Sequence, residues 1–109
     1  MAALTLAQAQ TIVTAALAHA RANNFAPMGV VVLDARGVLK AYAAEDGTSL
    51  RRSDIAIGKA HGALAMGVGS RTLGKRAEER PHFVAAVTHA VGGSLIPVAG
   101  GVLIKGEGG

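Results

Sequence analysis

The stretch from Ser53 to Gly67 constrains the fold most, because as a helix it is apolar almost all the way round. At about 100° per residue, its alanines and branched aliphatic side chains reach every side. Such a helix is expected to be covered by other elements on both sides. Gly58 and Gly62 lie inside it, although a glycine in a helix interior costs about 1 kcal/mol relative to alanine. The two glycines therefore predict that another backbone packs closely against this helix.

Lys59 and His61 are the ionisable side chains beyond the first turn of this helix. Neither has an acidic residue three or four positions away, so the helix itself offers no partner of opposite charge. We expect Lys59 either to extend into solvent or to pair with a carboxylate from elsewhere. Asp34 and Asp46, in the preceding turns, are the candidates within the chain, and another subunit is the alternative.

The composition indicates one small domain that associates with copies of itself. A chain of 109 residues is expected to form a single domain. Hydrophobic residues make up 50% of the chain, and the mean hydropathy is +0.38. Part of so apolar a surface is expected to lie in a homo-oligomer interface.

Several classes of function are disfavoured by what the chain lacks. Aromatic residues make up 3% of it and the net charge is only +4, so a platform for stacking nucleic-acid bases is not expected. The absence of Cys rules out disulfides, thiolate metal sites and a Cys nucleophile. The N-terminal residues do not resemble a signal peptide, and no apolar run is long enough for a transmembrane helix. We expect a cytoplasmic protein without nucleic-acid or membrane partners.

Local signals predict a helix and a hairpin in the first half of the chain. The helix covers residues 5–22, with Thr5 as N-cap and Gln8 completing a capping box. Residues 28–33 form a Val-rich run, which is typical of a strand covered on both faces. Asp and Gly in the next four residues predict a turn, and residues 38–44 return as the second strand.

The second half of the chain has weaker signals. Residues 69–80 are polar and charged, which predicts a loop or a short helical linker. Pro81 suits the start of a short helix that continues over 82–91 and ends at a Gly-Gly pair. Residues 102–105 are a strand candidate, and 106–109 resemble the start of a further turn.

Six short motifs occur in a fixed order along nearly the whole chain. They are Leu4-Thr-Leu6; Val30–Asp34 followed by Gly37 and Leu39; Asp46-Gly47 with Ser53; Ile55–Ala60; Ser70–Leu73; and Ile96–Ile104. Each motif is short, but in this order and spacing they resemble the GlcG/HbpS-like haem-degrading family. That family includes the C-terminal domain of PduO-type proteins.

The resemblance implies an α/β (α+β) domain in which an antiparallel sheet is flanked by helices and which assembles into symmetric homo-oligomers. It also implies that family members continue past the Gly-Gly strand with a Gly-rich strand and a final helix. By this comparison, the single domain over residues 1–109 lacks those two elements. We expect a fragment, a domain completed by another polypeptide, or a sheet edge left open for a partner.

His61 is the first candidate for a ligand of haem iron. It shares a helix face with Ile57 and Leu64, and an apolar surface with one imidazole suits haem. The alternative is more common in proteins, namely a buried histidine bonded to a backbone group or a carboxylate. No catalytic motif transfers from the family residue by residue, so this candidate rests on chemistry alone.

Arg51, Arg52 and Ser53 lie at the start of the same helix. Free N–H groups and two guanidiniums suit haem propionates or the carboxylate of a small acid. Two solvated arginines are an equally good interpretation. Lys59 is a further candidate for holding a carboxylate, against the alternative of a structural ion pair.

The other three histidines are weaker candidates. His82 and His89 lie seven residues apart on one helix, which separates them by about 10 Å. Since Zn–N bonds are about 2 Å long, one helix cannot bring both rings to one ion, and we expect both side chains to be exposed. His19 lies near a helix end, where a cation suits the helix dipole.

The sequence therefore favours a small-ligand-binding domain of the GlcG/HbpS-like type, with haem as the cofactor or ligand. Its partners are expected to be copies of itself, and whether it catalyses a reaction is left open. One alternative is an enzyme or accessory protein acting on a small organic acid, held by Arg51, Arg52 and Lys59. A second is a purely structural domain that builds an oligomer.

Overall fold

The computed structural model describes residues 3–105. In chain order its elements are α1 (Leu6–Ala22), β1 (Gly29–Leu33), β2 (Leu39–Ala44), α2 (Arg52–Met66), α3 (Ser70–Glu79) and α4 (Pro81–Ala90). Within the described residues, helices flank one two-stranded antiparallel sheet, which confirms the predicted α+β class. None of the helices in this range has the combined length and apolar character needed to cross a bilayer.

The start of α1 is fixed by the predicted capping box. The Thr5 hydroxyl accepts a hydrogen bond from the backbone N–H of Gln8 at 3.1 Å. The Gln8 side-chain oxygen accepts one from the N–H of Thr5 at 3.0 Å. Two N–H groups that a helix start leaves without partners are therefore satisfied.

The hairpin forms as predicted, with a tight turn between its strands. Val30 lies opposite Ala43 and Val32 opposite Ala41. In the turn, a carboxylate oxygen of Asp34 accepts hydrogen bonds from the backbone N–H groups of Arg36 and Val38. Because Asx-type bonding pre-forms such turns, one residue type accounts for much of the local geometry.

Helices cover both faces of the hairpin, which confirms that β1 lies between two layers. On one face, Val32 packs in a buried cluster with Ala9 of α1. On the other face, the side chain of Arg52 in α2 lies beside Gly29 and Tyr42. The sheet is therefore the middle layer, with α1 and α2 on opposite sides.

The two glycines of α2 have the packing role that the sequence predicts. A Cβ at Gly58 would lie 2.8 Å from the side chain of Ile96, and one at Gly62 would lie 2.8 Å from that of Leu95. The N–H of Ile96 also donates to the carbonyl of Gly58 at 3.1 Å. The segment of residues 94–101 thus lies directly against α2. The predicted cover is incomplete on the other side, where Leu64 is exposed.

The charged stretch after α2 contains a helix, α3, which is the second of the two predicted alternatives. Leu73 of α3 is fully buried in a second cluster with Val84 of α4 and Leu95. With so few buried apolar positions in a mostly polar segment, the sequence periodicity is too weak to decide between helix and loop. The helix α4 begins at Pro81, as predicted.

The prediction of a strand over residues 102–105 is wrong. The sheet of the described residues contains only β1 and β2, and no strand lies beside this segment to accept its hydrogen bonds. A short apolar segment needs such a partner to become a strand. Val102 is instead 77% exposed. The turn predicted for 106–109 lies outside the described residues.

Candidate functional site

His61 is held by the segment that packs on α2. Its Nδ1 lies 2.8 Å from the carbonyl oxygen of Ser94. A carbonyl oxygen can only accept, so Nδ1 carries the proton and donates it. In the neutral ring, Nε2 then has a free lone pair. The alternative named above, a histidine bonded to a backbone carbonyl, is therefore correct for Nδ1 of His61. It leaves the lone pair of Nε2 available for a ligand.

The Nε2 edge of the ring lies over the hairpin turn at Gly37. A Cβ at this position would lie 3.2 Å from Cδ2 and 3.6 Å from Nε2 of His61. Gly37 also has a φ of +79°, which L side chains rarely adopt. Glycine here therefore serves both the turn and the approach of the imidazole.

Exposed apolar side chains occur on the two elements that meet at His61, α2 and the hairpin. Leu64, one turn further along α2, is 36% exposed, and Leu39, at the start of β2, is 53% exposed. Leu39 pairs with Leu33 where the register of the hairpin is irregular, two residues after Gly37.

The start of α2 separates the two predicted arginines into different environments. Arg51 is the N-cap and pairs with Asp54 at 2.8 Å, with both side chains mostly exposed. Arg52 is half-buried against Gly29, and its Nε is buried without a hydrogen-bond partner among the described residues. Ser53 is half-buried and does not cap the helix through its side chain. The two guanidiniums therefore do not form one clamp.

The predicted ion pair of Lys59 with Asp34 or Asp46 is wrong for the described residues. The carboxylate of Asp34 is taken by Arg36, at 2.9 Å. The side chain of Lys59 instead lies against Gly100, where a Cβ would be 3.5 Å from both Cδ and Nζ. Lys59 is half-buried and covers this backbone turn.

The predicted ligand residues do not converge on one point. Arg52 and His61 are nine residues apart on α2, which is about 13.5 Å along the helix. Arg52 lies at the Gly29 end of β1, whereas His61 lies at the hairpin turn. Lys59 lies beside the segment of residues 94–101. The geometry keeps His61 as one candidate site and Arg52 as another.

A buried hydroxyl that the sequence reasoning missed joins two of the motifs. Ser70 is completely buried, and its Oγ accepts the N–H of Gly101 at 2.7 Å. The N–H of Ser70 donates back to the carbonyl of Gly101 at 2.9 Å. Both residues lie in motifs that carry the family resemblance, and this was the one signal in the sequence that could have drawn attention to them. No local pattern predicts a hydrogen bond between residues 31 positions apart.

The other histidines do not build a metal site with their neighbours. His82 and His89 are exposed on α4, as expected. His19 is exposed and packs edge-on against Phe25 at 5.7 Å. Residues 3–105 contain no cluster of three or more His, Cys, Asp or Glu side chains that could hold a metal ion.

Two open depressions lie away from these candidates. One, of about 430 Å³, is lined by Arg21, Pro27, Ala44, Glu45 and Asp46. Its Arg21 and Glu45 already pair with each other at 2.6 Å. The other, of about 540 Å³, lies between α1 and β2. Neither has His61 or Arg52 in its lining.

The sequence matches one known family. Residues 4–109 fit the family model described as haem degrading protein HbpS-like. The match covers nearly the whole chain. No curated protein matches it.

Proposed function

The chain belongs to the HbpS-like haem-degrading family, and from that premise we propose that it binds haem with His61 as the iron ligand. Haem is then either a stored ligand or the substrate of the breakdown for which the family is named. The family membership supports the class of ligand. The choice of His61 rests on the geometry of this chain.

The hydrogen bond from His61 to Ser94 carries the proposal. Histidines that ligate metals typically donate their other ring N–H to a carbonyl or carboxylate, which fixes the tautomer and makes the ligating nitrogen more basic. His61 already has this contact at 2.8 Å. Nε2 is the atom that would meet the iron.

The surroundings of His61 fit a flat apolar ligand on an open surface. Leu64, one turn along α2 from His61, and Leu39, two residues after Gly37, are exposed, and covering apolar surface gains about 25 cal/mol per Å². When bound, haem supplies the iron centre and the conjugated ring. His61 would hold the iron through its imidazole, and Leu64 would cover part of the ring.

Self-association in the cytoplasm is part of the same proposal. Exposed large apolar residues support it, among them Leu50, Val98 and Val102. The absence of Cys is compatible with a reducing compartment. Chemical cross-linking of the purified protein and fractionation of cells test the two statements separately.

A haemin titration followed in the Soret band tests the assignment. We expect a saturable, sharp Soret band in the wild type that is lost in His61→Ala. His89→Ala is the matched control, because His89 is an exposed histidine on a different helix. Iron-free protoporphyrin IX, which cannot be ligated, is expected to bind much more weakly than haemin.

Two results would overturn the proposal. One is a weak, non-saturating shift that is the same in wild type and His61→Ala, since this indicates adsorption to an apolar surface. The other is saturable binding that His61→Ala leaves unchanged, since this moves the ligand elsewhere. Circular dichroism of each variant shows whether it is folded.

A small carboxylate at Arg52 is the second candidate function. The observation in its favour is the buried Nε of Arg52, which has no partner within residues 3–105. Guanidinium groups bind carboxylates through paired hydrogen bonds. Isothermal titration with acetate and glycolate tests it, with Arg51→Gln as control for Arg52→Gln. Equal binding by both variants would rule this site out.

A further inference from the structure

The outer edge of β2 is open within residues 3–105. β2 pairs with β1 along one side, and the sheet of the described residues has no third strand. The N–H of Glu45 donates to the carbonyl of Met28 at 2.9 Å, so the backbone groups of Glu45 face β1. Successive residues of an antiparallel strand direct these groups to alternate sides. Tyr42 and Ala44 therefore direct their N–H and C=O groups outward, to the open edge.

A depression of about 540 Å³ lies along this edge. Its lining includes Leu6 and Gln10 of α1 and the consecutive residues 40–43 of β2. Consecutive strand residues point to opposite faces of a sheet, so a depression that touches all four opens at the edge of the strand. Leu6, which lines it, is 51% exposed. An open edge next to exposed apolar surface is where a further strand can add to a sheet.

The sequence around β2 is complementary to itself about Ala43. When two copies pair antiparallel around a two-fold axis at Ala43, Tyr42 of each copy lies opposite Ala44 of the other. These are the two residues whose backbone groups face outward, so they bond across the joint. Lys40 of each copy then lies opposite Asp46 of the other, a basic residue against an acidic one. Moving the axis by one residue in either direction leaves Lys40 opposite an uncharged residue.

Ala43 suits its position on the axis. Two residues that meet without backbone hydrogen bonds in an antiparallel pair have Cα atoms about 4.5 Å apart, which a small side chain allows. Ala43 packs on the side of the sheet that α1 covers. An axis perpendicular to the sheet keeps α1 of both copies on that side, so Leu6 of each copy lies near the joint and loses contact with water.

Resting on the self-association in the proposed function, we infer that two copies of the chain join through β2 to form one continuous four-stranded antiparallel sheet. The contact uses the same surface of both copies, as a two-fold interface requires. Backbone bonds between Tyr42 and Ala44 hold the strands together, and the opposed charges of Lys40 and Asp46 fix their register. Because Asp46 is exposed, this ion pair adds little to stability.

Disulfide formation between copies tests the register directly, because the chain has no Cys of its own. Ala43→Cys places a thiol of each copy at the axis, within the Cβ–Cβ distance of about 3.5–4.5 Å that a disulfide needs. Ala41→Cys is the matched control, since Ala41 is half-buried on the same face of the same strand. Its two thiols would lie about 13 Å apart along the joint. Under mild oxidation, we expect at least tenfold more covalent dimer from Ala43→Cys.

Exchange of the two opposed charges tests the pairing of Lys40 with Asp46. Lys40→Glu and Asp46→Lys should each raise the dissociation constant between copies at least fivefold, because each places like charges opposite one another. The double variant should return to within twofold of the wild type. Lys75→Glu, the same change of charge at an exposed position of α3, is the control. Sedimentation velocity over a dilution series measures the constants, and circular dichroism shows that each variant is folded.

The outcomes separate this inference from the proposed function. A wild type that stays monomeric at every concentration overturns both the joint and the proposed self-association. An assembly in which Ala43→Cys and Ala41→Cys cross-link equally overturns the joint through β2 alone. A double variant as weak as the two single ones overturns the pairing of Lys40 with Asp46. Haem ligation by His61 is decided by the haemin titration and by none of these results.

Discussion

Ser70 and Gly101 hydrogen-bond to each other in both directions, N–H to Oγ and N–H to carbonyl, across 31 residues of sequence. This reciprocal pair fixes the segment of residues 94–101 to the start of α3. The same segment contacts Gly58 and Gly62 of α2 and supplies the carbonyl that holds His61. The orientation of the candidate ligand thus depends on a bond far from it in sequence.

Replacing Ser70 by Ala is expected to destabilise the fold by about 1–3 kcal/mol, because the buried N–H of Gly101 loses its acceptor. Urea unfolding followed by circular dichroism measures this. Thr72→Ala is the control, since Thr72 is exposed on the same helix. Equal midpoints for the two variants would show that the reciprocal pair contributes nothing to stability.

Adding a methyl group at Gly101 should also be costly. A Cβ there would overlap the backbone carbonyl of Lys59, which cannot rotate away as a side chain can. Overpacking of this kind costs about 1–3 kcal/mol. Gly101→Ala is compared with Gly69→Ala, whose Cβ would lie at an ordinary 3.4 Å from its nearest neighbour. The prediction is wrong if both variants have the same melting temperature.

Loss of the α1 cap is expected to weaken the first layer. Thr5→Ala removes the acceptor for the N–H of Gln8, which typically costs about 1 kcal/mol. Thermal unfolding of Thr5→Ala and Thr14→Ala gives the comparison, because Thr14 is exposed in the middle of α1. A larger loss in Thr14→Ala would contradict the role assigned to the cap.

Acid should reduce stability through Asp34. The side-chain hydrogen bond from Arg36 is the main cause that lowers the pKa of Asp34 below its ordinary value of 3.8, although burial opposes it. A group whose pKa is lower in the folded state stabilises the fold above its unfolded pKa. That stabilisation is lost as pH falls through the lower, folded value.

Urea midpoints measured between neutral pH and pH 2 test this dependence. Asp34→Asn should be less stable than wild type at neutral pH, and the difference should shrink as pH falls below about 4. Asp46→Asn, at an exposed position in the next turn, should follow the wild type throughout. A constant difference between Asp34→Asn and wild type at every pH would contradict the assignment.

Elements with a local signal could be predicted from the sequence. The Thr5 cap, the Asp34 turn and Pro81 each act within four residues, and all three mark their elements correctly. Gly58 and Gly62 predicted a close contact on α2. They could not predict that its partners are Ile96 and Leu95, because which segment packs there depends on the whole fold.

The failures concern contacts between distant segments. The strand expected over 102–105 depends on a neighbouring strand, which no local pattern can supply. The ion pair expected for Lys59 does not form within the described residues, where Asp34 pairs with its neighbour Arg36 and Lys59 lies against Gly100. At the candidate site, His61 could be chosen from the helix pattern, but its bond to Ser94 depends on how residues 94–101 return to α2.

The two buried clusters have a consequence for how the molecule opens. One joins α1 to the sheet and the other joins α3, α4 and Leu95, with α2 between them. Protein segments that share few buried contacts can unfold locally while the rest stays native. Amide hydrogens of α4 should therefore exchange with solvent through a local unfolding of lower free energy than that needed for those of β1. The segment of residues 94–101 holds His61 through the Ser94 carbonyl. Detachment of this segment alone would then free the His61 ring and let a molecule bound there leave.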